Sequence, residues 1–112
     1  MIISYESFQC ICNLDKYQSE HIVSSLNSKL NQRGNLVGYF FEDSLTIGYH
    51  KAVKIINRLL LSDVNMKKHM FNIINRIDLT PCYKHSCSGY FYQGFMLAFR
   101  DLDKFLKYLF LY

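Results

Sequence analysis

The sequence predicts an α+β fold. The expectation is a compact single domain over residues 1–112, with an antiparallel sheet of about four to five strands and about four helices. Three observations lead there. Apolar residues recur in several windows at the 3.6-residue period that buries one face of a helix. Between those windows lie short segments rich in aromatic and β-branched residues, the composition of strands. Turns of only a few residues join several of these segments, which calls for antiparallel pairing.

Residues 2–12 alternate loosely among Ile, Tyr, Phe and Cys and predict a first strand. Asn13 or Asp15 then caps a helix over 15–33. Asp15-Lys16-Tyr17-Gln18 fits a capping box, in which the Asp oxygen accepts a backbone N–H and the Gln side chain returns to the cap. Ile22, Val23, Leu26 and Leu30 form its apolar stripe. Lys29 and Arg33 suit the negative end of the helix dipole, and Gly34 follows as a C-cap. Residues 36–41 read as a strand and Glu42-Asp43-Ser44 as a turn. Residues 45–49 either return as a second strand or begin the next helix. Ala52, Val53, Ile56, Leu59 and Leu60 mark a helix over 50–61. Ser62-Asp63 breaks it and caps another over 64–77, with Met66, Met70, Ile73, Ile74 and Ile77 as the buried face. Pro81 and residues 84–89 mark irregular structure between two strands of a hairpin, 78–84 and 90–99. Asp101 caps a last helix carrying Leu102, Phe105, Leu106, Leu109 and Phe110 on one face.

The β-α-β-β-α start of this order resembles a ferredoxin-like split fold with an added helix and hairpin. The run from helix 15–33 through hairpin 78–99 alternatively resembles a winged-helix order, with strand 2–12 and the last helix as additions.

Composition sets outer limits. A chain of 112 residues buries roughly two-thirds of its unfolded surface, so neither a disulfide nor a metal staple is required. Half the residues are hydrophobic and 20% are charged, which excludes a disordered chain. One Pro and five Gly exclude collagen-like and linker-dominated chains. Phe, Tyr, Met, Ile, Asn and Lys supply 49 of the 112 residues while Ala occurs twice, a bias toward AT-rich codons of the kind found in phages, plasmids and low-GC bacteria. The first residues lack a basic segment followed by an apolar one, so no secretory signal is expected. The apolar run 105–112 is short and interrupted by Lys107, too little to span a bilayer. A cytoplasmic location with reduced cysteines is the expectation.

Cys82-x-x-His85-x-Cys87 is the most ligand-like cluster, with Cys10-x-Cys12 as a possible complement for zinc. The spacing argues against a site. Cys82 and Cys87 are five positions apart, and on a strand the Cβ atoms of Cys10 and Cys12 would stand about 7 Å apart. No metal and no cofactor is expected. His85 sits too close in sequence to Cys87 to activate it as a nucleophile. Phosphate-binding glycine loops, serine elbows and His-Glu-x-x-His pairs are absent. The nearest carboxylate pairs, Glu42-Asp43 and Asp101 with Asp103, are explained by a turn and a helix start. No catalysis is expected.

The segment 50–76 carries six basic residues, Lys51, Lys54, Arg58, Lys67, Lys68 and Arg76, against the single acid Asp63, a net of +5 where the whole chain carries +4. Lys51, Lys54 and Arg58 share one face of the first helix. Lys68, Asn72, Asn75 and Arg76 share one face of the second, with Lys67 at its edge. Such a helix pair suits phosphates or an acidic protein. The turn before Asn65 lacks the Gly frequent in helix-turn-helix motifs. Residues 94–99, Gly-Phe-Met-Leu-Ala-Phe, partly resemble the aromatic strand of RNA-recognition domains. Gln93, Met96 and Arg100 depart from that pattern, and nothing is carried over from it. The expected function is therefore a small non-enzymatic binding protein that docks on a protein partner, of the kind phages and mobile elements encode as inhibitors or regulators of host machinery such as host defence. A nucleic-acid-binding regulator using the basic helix pair is the alternative. Lys51, Lys54, Arg58, Lys67, Lys68, Asn72 and Arg76 are the candidate contact residues in either case.

Overall fold

The computed structural model describes residues 1–34, 40–77 and 86–111, with side chains described for 1–32, 44–77 and 89–111. Among them five helices follow one another: α1 Tyr5–Cys12, α2 Lys16–Gly34, α3 Phe40–Leu61, α4 Val64–Ile74 and α5 Ser86–Phe110. Among the described residues there is no strand. The expected α+β fold and its antiparallel sheet are thus overturned in favour of a small all-α fold, and the ferredoxin-like and winged-helix orders go with them.

Each misread strand has a local explanation. In segment 2–12, Ser4 is an N-cap: its side chain accepts the Ser7 N–H at 3.1 Å. Phe8 and Ile11, three residues apart, both point into the core. Of the two alternatives for residues 45–49, a returning strand or part of the next helix, the helix is found: they lie inside α3, which also takes in the expected turn at 42–44. Residues 90–99 belong to α5. Phe95, Ala98, Phe99, Leu102 and Leu106 are all buried, at i, i+3, i+4, i+7 and i+11, so one helical stripe runs through both the expected strand and the expected last helix. Asp101 is consequently a helix-interior residue and not a cap. The expected strand 36–41 lies outside the described residues except for its last two positions, which begin α3, and strand 78–84 lies outside them entirely.

Other local signals hold. The capping box at the start of α2 forms in both directions: Gln18 N–H donates to Asp15 Oδ1 at 2.7 Å, and Asp15 N–H donates to Gln18 Oε1 at 3.0 Å. Asp63 caps α4, its carboxylate accepting the Met66 N–H at 2.8 Å.

All five helices contribute to one core, with Ile11, Leu26, Tyr49, Ile56, Leu59 and Leu106 among its fully enclosed residues. Its centre is the crossing of α3 and α5. A Cβ built on Gly48 would overlap the Phe91 carbonyl oxygen, and one built on Gly94 would overlap the Leu45 carbonyl oxygen. The pairing of 48 with 91 and of 45 with 94 runs in opposite senses along the two helices, so the crossing is antiparallel. Four residues beyond each glycine stands an alanine, Ala52 on α3 and Ala98 on α5. These are the chain's two alanines, and both are completely buried. Each helix therefore presents a small residue on successive turns, which lets two backbones approach closer than larger side chains allow.

Around this crossing α5 is tied to its other neighbours by polar contacts. Tyr49 Oη of α3 donates to Asp101 Oδ2 at 2.7 Å, and Lys29 Nζ of α2 lies 3.2 Å from Asp101 Oδ1 and 5.5 Å from the Phe105 ring centroid. Lys29 thus serves a carboxylate on another helix more directly than its own helix dipole. Two residues on, Asp103 points elsewhere. It accepts from Ser7 Oγ of α1 and pairs with Lys107 Nζ at 3.1 Å. No described helix is long and apolar enough to cross a membrane.

Gly48→Ala and Gly94→Ala should each destabilise the fold by about 3 kcal/mol or more, because the added methyl meets backbone atoms that cannot rotate away. Urea unfolding measures this. A loss below about 1 kcal/mol for both variants would show that the helices separate at little cost.

Candidate docking surface

The α4 helix is apolar over a wider arc than one neighbour can cover. Lys67 is buried, Phe71 one turn on is half-buried with its ring 4.4 Å from that of Phe8, and Ile74 is buried, in the spacing i, i+4, i+7. This face packs inward, with Met70 partly buried beside it and Met66 and Ile73 left open. Met66 remains 48% exposed and Ile73 49% exposed, and the neighbouring Leu61 and Val64 are as open. Of the stripe expected to be core, Ile74 is buried and Met70 and Ile77 pack partly buried against the core, while Met66 and Ile73 stay open. The α4 residues of this stripe line one wall of a groove of about 460 Å³. Ile55, Arg58 and Ser62 of the α3 side form the other wall, and Ile77 extends the floor.

The basic residues fall into three groups on this frame. Lys51, Lys54 and Arg58 are exposed along α3. Arg58 lines the groove, and Lys51 lies two helical turns before it on the same face as Ile55. Lys68, Asn72 and Arg76 are also exposed. At 100° per residue, Lys68 stands about half a turn around α4 from Met66 and Met70, so its charge faces away from the groove. Arg76 follows the end of α4, three residues after Ile73. Lys67 is separate from both groups. Its ammonium is buried and donates to the Ile11 carbonyl at 3.2 Å, at the C-terminal end of α1 where a positive charge is favoured. Among the described residues, Lys51, Lys54, Arg58, Lys68 and Arg76 have no ion-pair partner. Asn75, expected on the basic face, clasps the chain start: its Oδ1 accepts the Ile3 N–H at 2.8 Å and its Nδ2 donates to the Ile3 carbonyl at 3.0 Å.

The groove residues Ile55, Met66, Met70 and Ile73 were absent from the expected contact set. The signal that could have found them is Phe71. Adding it to Met66, Met70, Ile73 and Ile74 makes an apolar arc too broad for a helix with a single buried face.

Among the described residues no group of three or more His, Cys, Asp or Glu side chains could hold a metal ion. Cys82, His85 and the side chain of Cys87 lie outside the described residues. Cys10 and Cys12 are free and half-buried on α1. Burial, with a smaller contribution from the nearby Asp103 carboxylate, pushes the Cys10 thiol above its ordinary value.

Two outcomes follow. Lys67→Ala should lose about 1–3 kcal/mol, since it removes a buried donor from the Ile11 carbonyl and the packing of its stem, whereas Lys51→Ala should stay within about 0.5 kcal/mol. Equal stabilities in urea would contradict the assignment of Lys67 to the interior. A raised thiol pKa leaves less thiolate at a given pH, so Cys10 should alkylate more slowly than an unhindered thiol at pH 8, with its rate still climbing above pH 9. Mass spectrometry of iodoacetamide-treated protein follows this, and a rate that levels off by pH 8 would refute it.

Comparison of the chain with protein-family models, curated proteins and solved structures finds no match.

Proposed function

We propose that this chain is a binding module that acts without catalysis, by docking a protein partner on the α3–α4 groove. The observation that carries the reading is the open apolar groove lined by Ile55, Met66, Met70, Ile73 and Ile77, in which Met66 and Ile73 are each about half exposed. Covering Met66 and Ile73 would contribute about 1 kcal/mol of apolar burial each, half the value for a fully exposed side chain. Contiguous apolar surface of this kind marks interaction sites. Methionines at positions 66 and 70 suit such a site, because the unbranched thioether adapts to a partner's shape.

The same surface argues against nucleic acid as the main ligand. Phosphates gain nothing from an apolar floor. The cations that would neutralise them are divided, with Lys67 buried and Lys68 around the far side of α4. Regulation or inhibition of a larger machine by occlusion is the mode of action that fits a chain of this size.

A photo-reactive residue placed at Met66 in the native host should form a discrete adduct with one identified protein after nuclease treatment. The same residue at exposed Tyr17 should not. The purified partner should then bind the chain at 1:1, and Ile73→Glu should abolish that binding without changing the helical content. Sub-micromolar duplex binding in a gel shift at about 0.15 M salt, lost in Lys51→Ala/Arg58→Ala, would overturn the proposal and establish the nucleic-acid alternative.

A further inference from the structure

We infer that the occupant of the α3–α4 groove is an acidic amphipathic α-helix of the partner, an inference that rests on the docking role proposed above. The groove walls are side chains of two helices, so they present no free strand edge to which an extended peptide could add. The available mode is a helix whose apolar residues at i, i+3, i+4 and i+7 enter the groove. Met66 to Ile74 spans about 12 Å of helix rise, and Ile77 extends the floor, a length that accommodates two to three turns of a bound helix.

Charge selects among such helices. Arg58 lines the groove, Lys51 and Lys54 precede it on exposed turns of α3, and Arg76 stands past the end of α4. None of the four has an ion-pair partner among the described residues. Among the described residues no carboxylate lines the groove. Asp63, next to the groove residue Ser62, is engaged with the Met66 N–H at the start of α4. A partner helix carrying Asp and Glu beside its apolar stripe gains from all four cations, while a basic one is repelled by them. Complementarity of this kind speeds association and rejects wrong partners.

The test uses three synthetic helical peptides of 15 residues that share one apolar stripe and differ only in flanking Glu, Gln or Lys. Binding to the full chain is followed by fluorescence anisotropy. The Glu peptide should bind at least tenfold more tightly than the Lys peptide at about 0.05 M salt, and the gap should narrow as salt is raised. Lys54→Glu/Arg58→Glu, both at exposed positions, should reverse the order, and Ile73→Glu should abolish binding of all three. Equal affinity for the Glu and Lys peptides, with Ile73→Glu still abolishing both, would overturn the acidic partner and leave the docking role standing. Binding of none of the peptides would overturn both. So would sedimentation of the chain as a dimer that Ile73→Glu returns to monomer, since a second copy would then be the occupant.

Discussion

The fold depends on the contact of α3 with α5 at Gly48 and Gly94. Each glycine sits under a carbonyl of the other helix, and the next turn of each helix carries one of the chain's two alanines. In a chain this poor in small residues and this rich in Phe and Tyr, placing all four at one crossing leaves the bulky side chains to fill the remaining space around it. The close approach also brings Tyr49 within reach of Asp101, and Lys29 closes that carboxylate from the α2 side. A buried carboxylate is costly unless paired and hydrogen-bonded, and here it is both. Asp101 therefore fixes which faces of α2 and α3 meet α5, on the opposite side of that helix from the Asp103 link to α1.

The parts of this fold that were legible in the sequence are those written in local chemistry. The capping box at Asp15–Gln18 and the cap at Asp63 need only neighbouring residues, and both form as their side chains dictate. The stripe from Leu102 to Phe110 is long enough for its period to be unambiguous. Illegibility began where windows were short and composition outweighed period. Tyr90, Phe91 and Tyr92 together look like strand, yet Phe95, Ala98, Phe99 and Leu102 show the helical period once the window is carried through Asp101. Gly48 and Gly94 carried no local sign of their role, because an interior glycine lowers helix propensity and only the partner helix explains it.

The docking surface divides in the same way. Exposure of Lys51, Lys54, Arg58, Lys68, Asn72 and Arg76 agrees with a polar face opposite an apolar one. The burial of Lys67 does not follow from spacing. It depends on where the C-terminal end of α1 arrives, which is a tertiary fact. The rotation of α4 that buries Lys67 and Ile74 and turns Phe71 onto Phe8 is the same rotation that leaves Met66 and Ile73 uncovered. One packing choice both removes a cation from the surface and opens the groove.

The two polar links from α4 to the start of the chain carry a mechanical consequence. Lys67 holds α4 to the end of α1, and the Asn75 amide clasps Ile3 ahead of α1. The short helix is thus fastened at both ends to the same neighbour, like a splint. Across the groove its connection to α3 consists of a tight turn, apolar contacts and the weak bond of the Ser62 hydroxyl to Met70 Sδ at 3.8 Å, whereas the shorter polar links lie behind it. The width of the groove is therefore gauged from behind. Because Ser7 in turn ties α1 to Asp103 of α5, and α5 is packed closely on α3, both walls of the groove are referred to the same central helix.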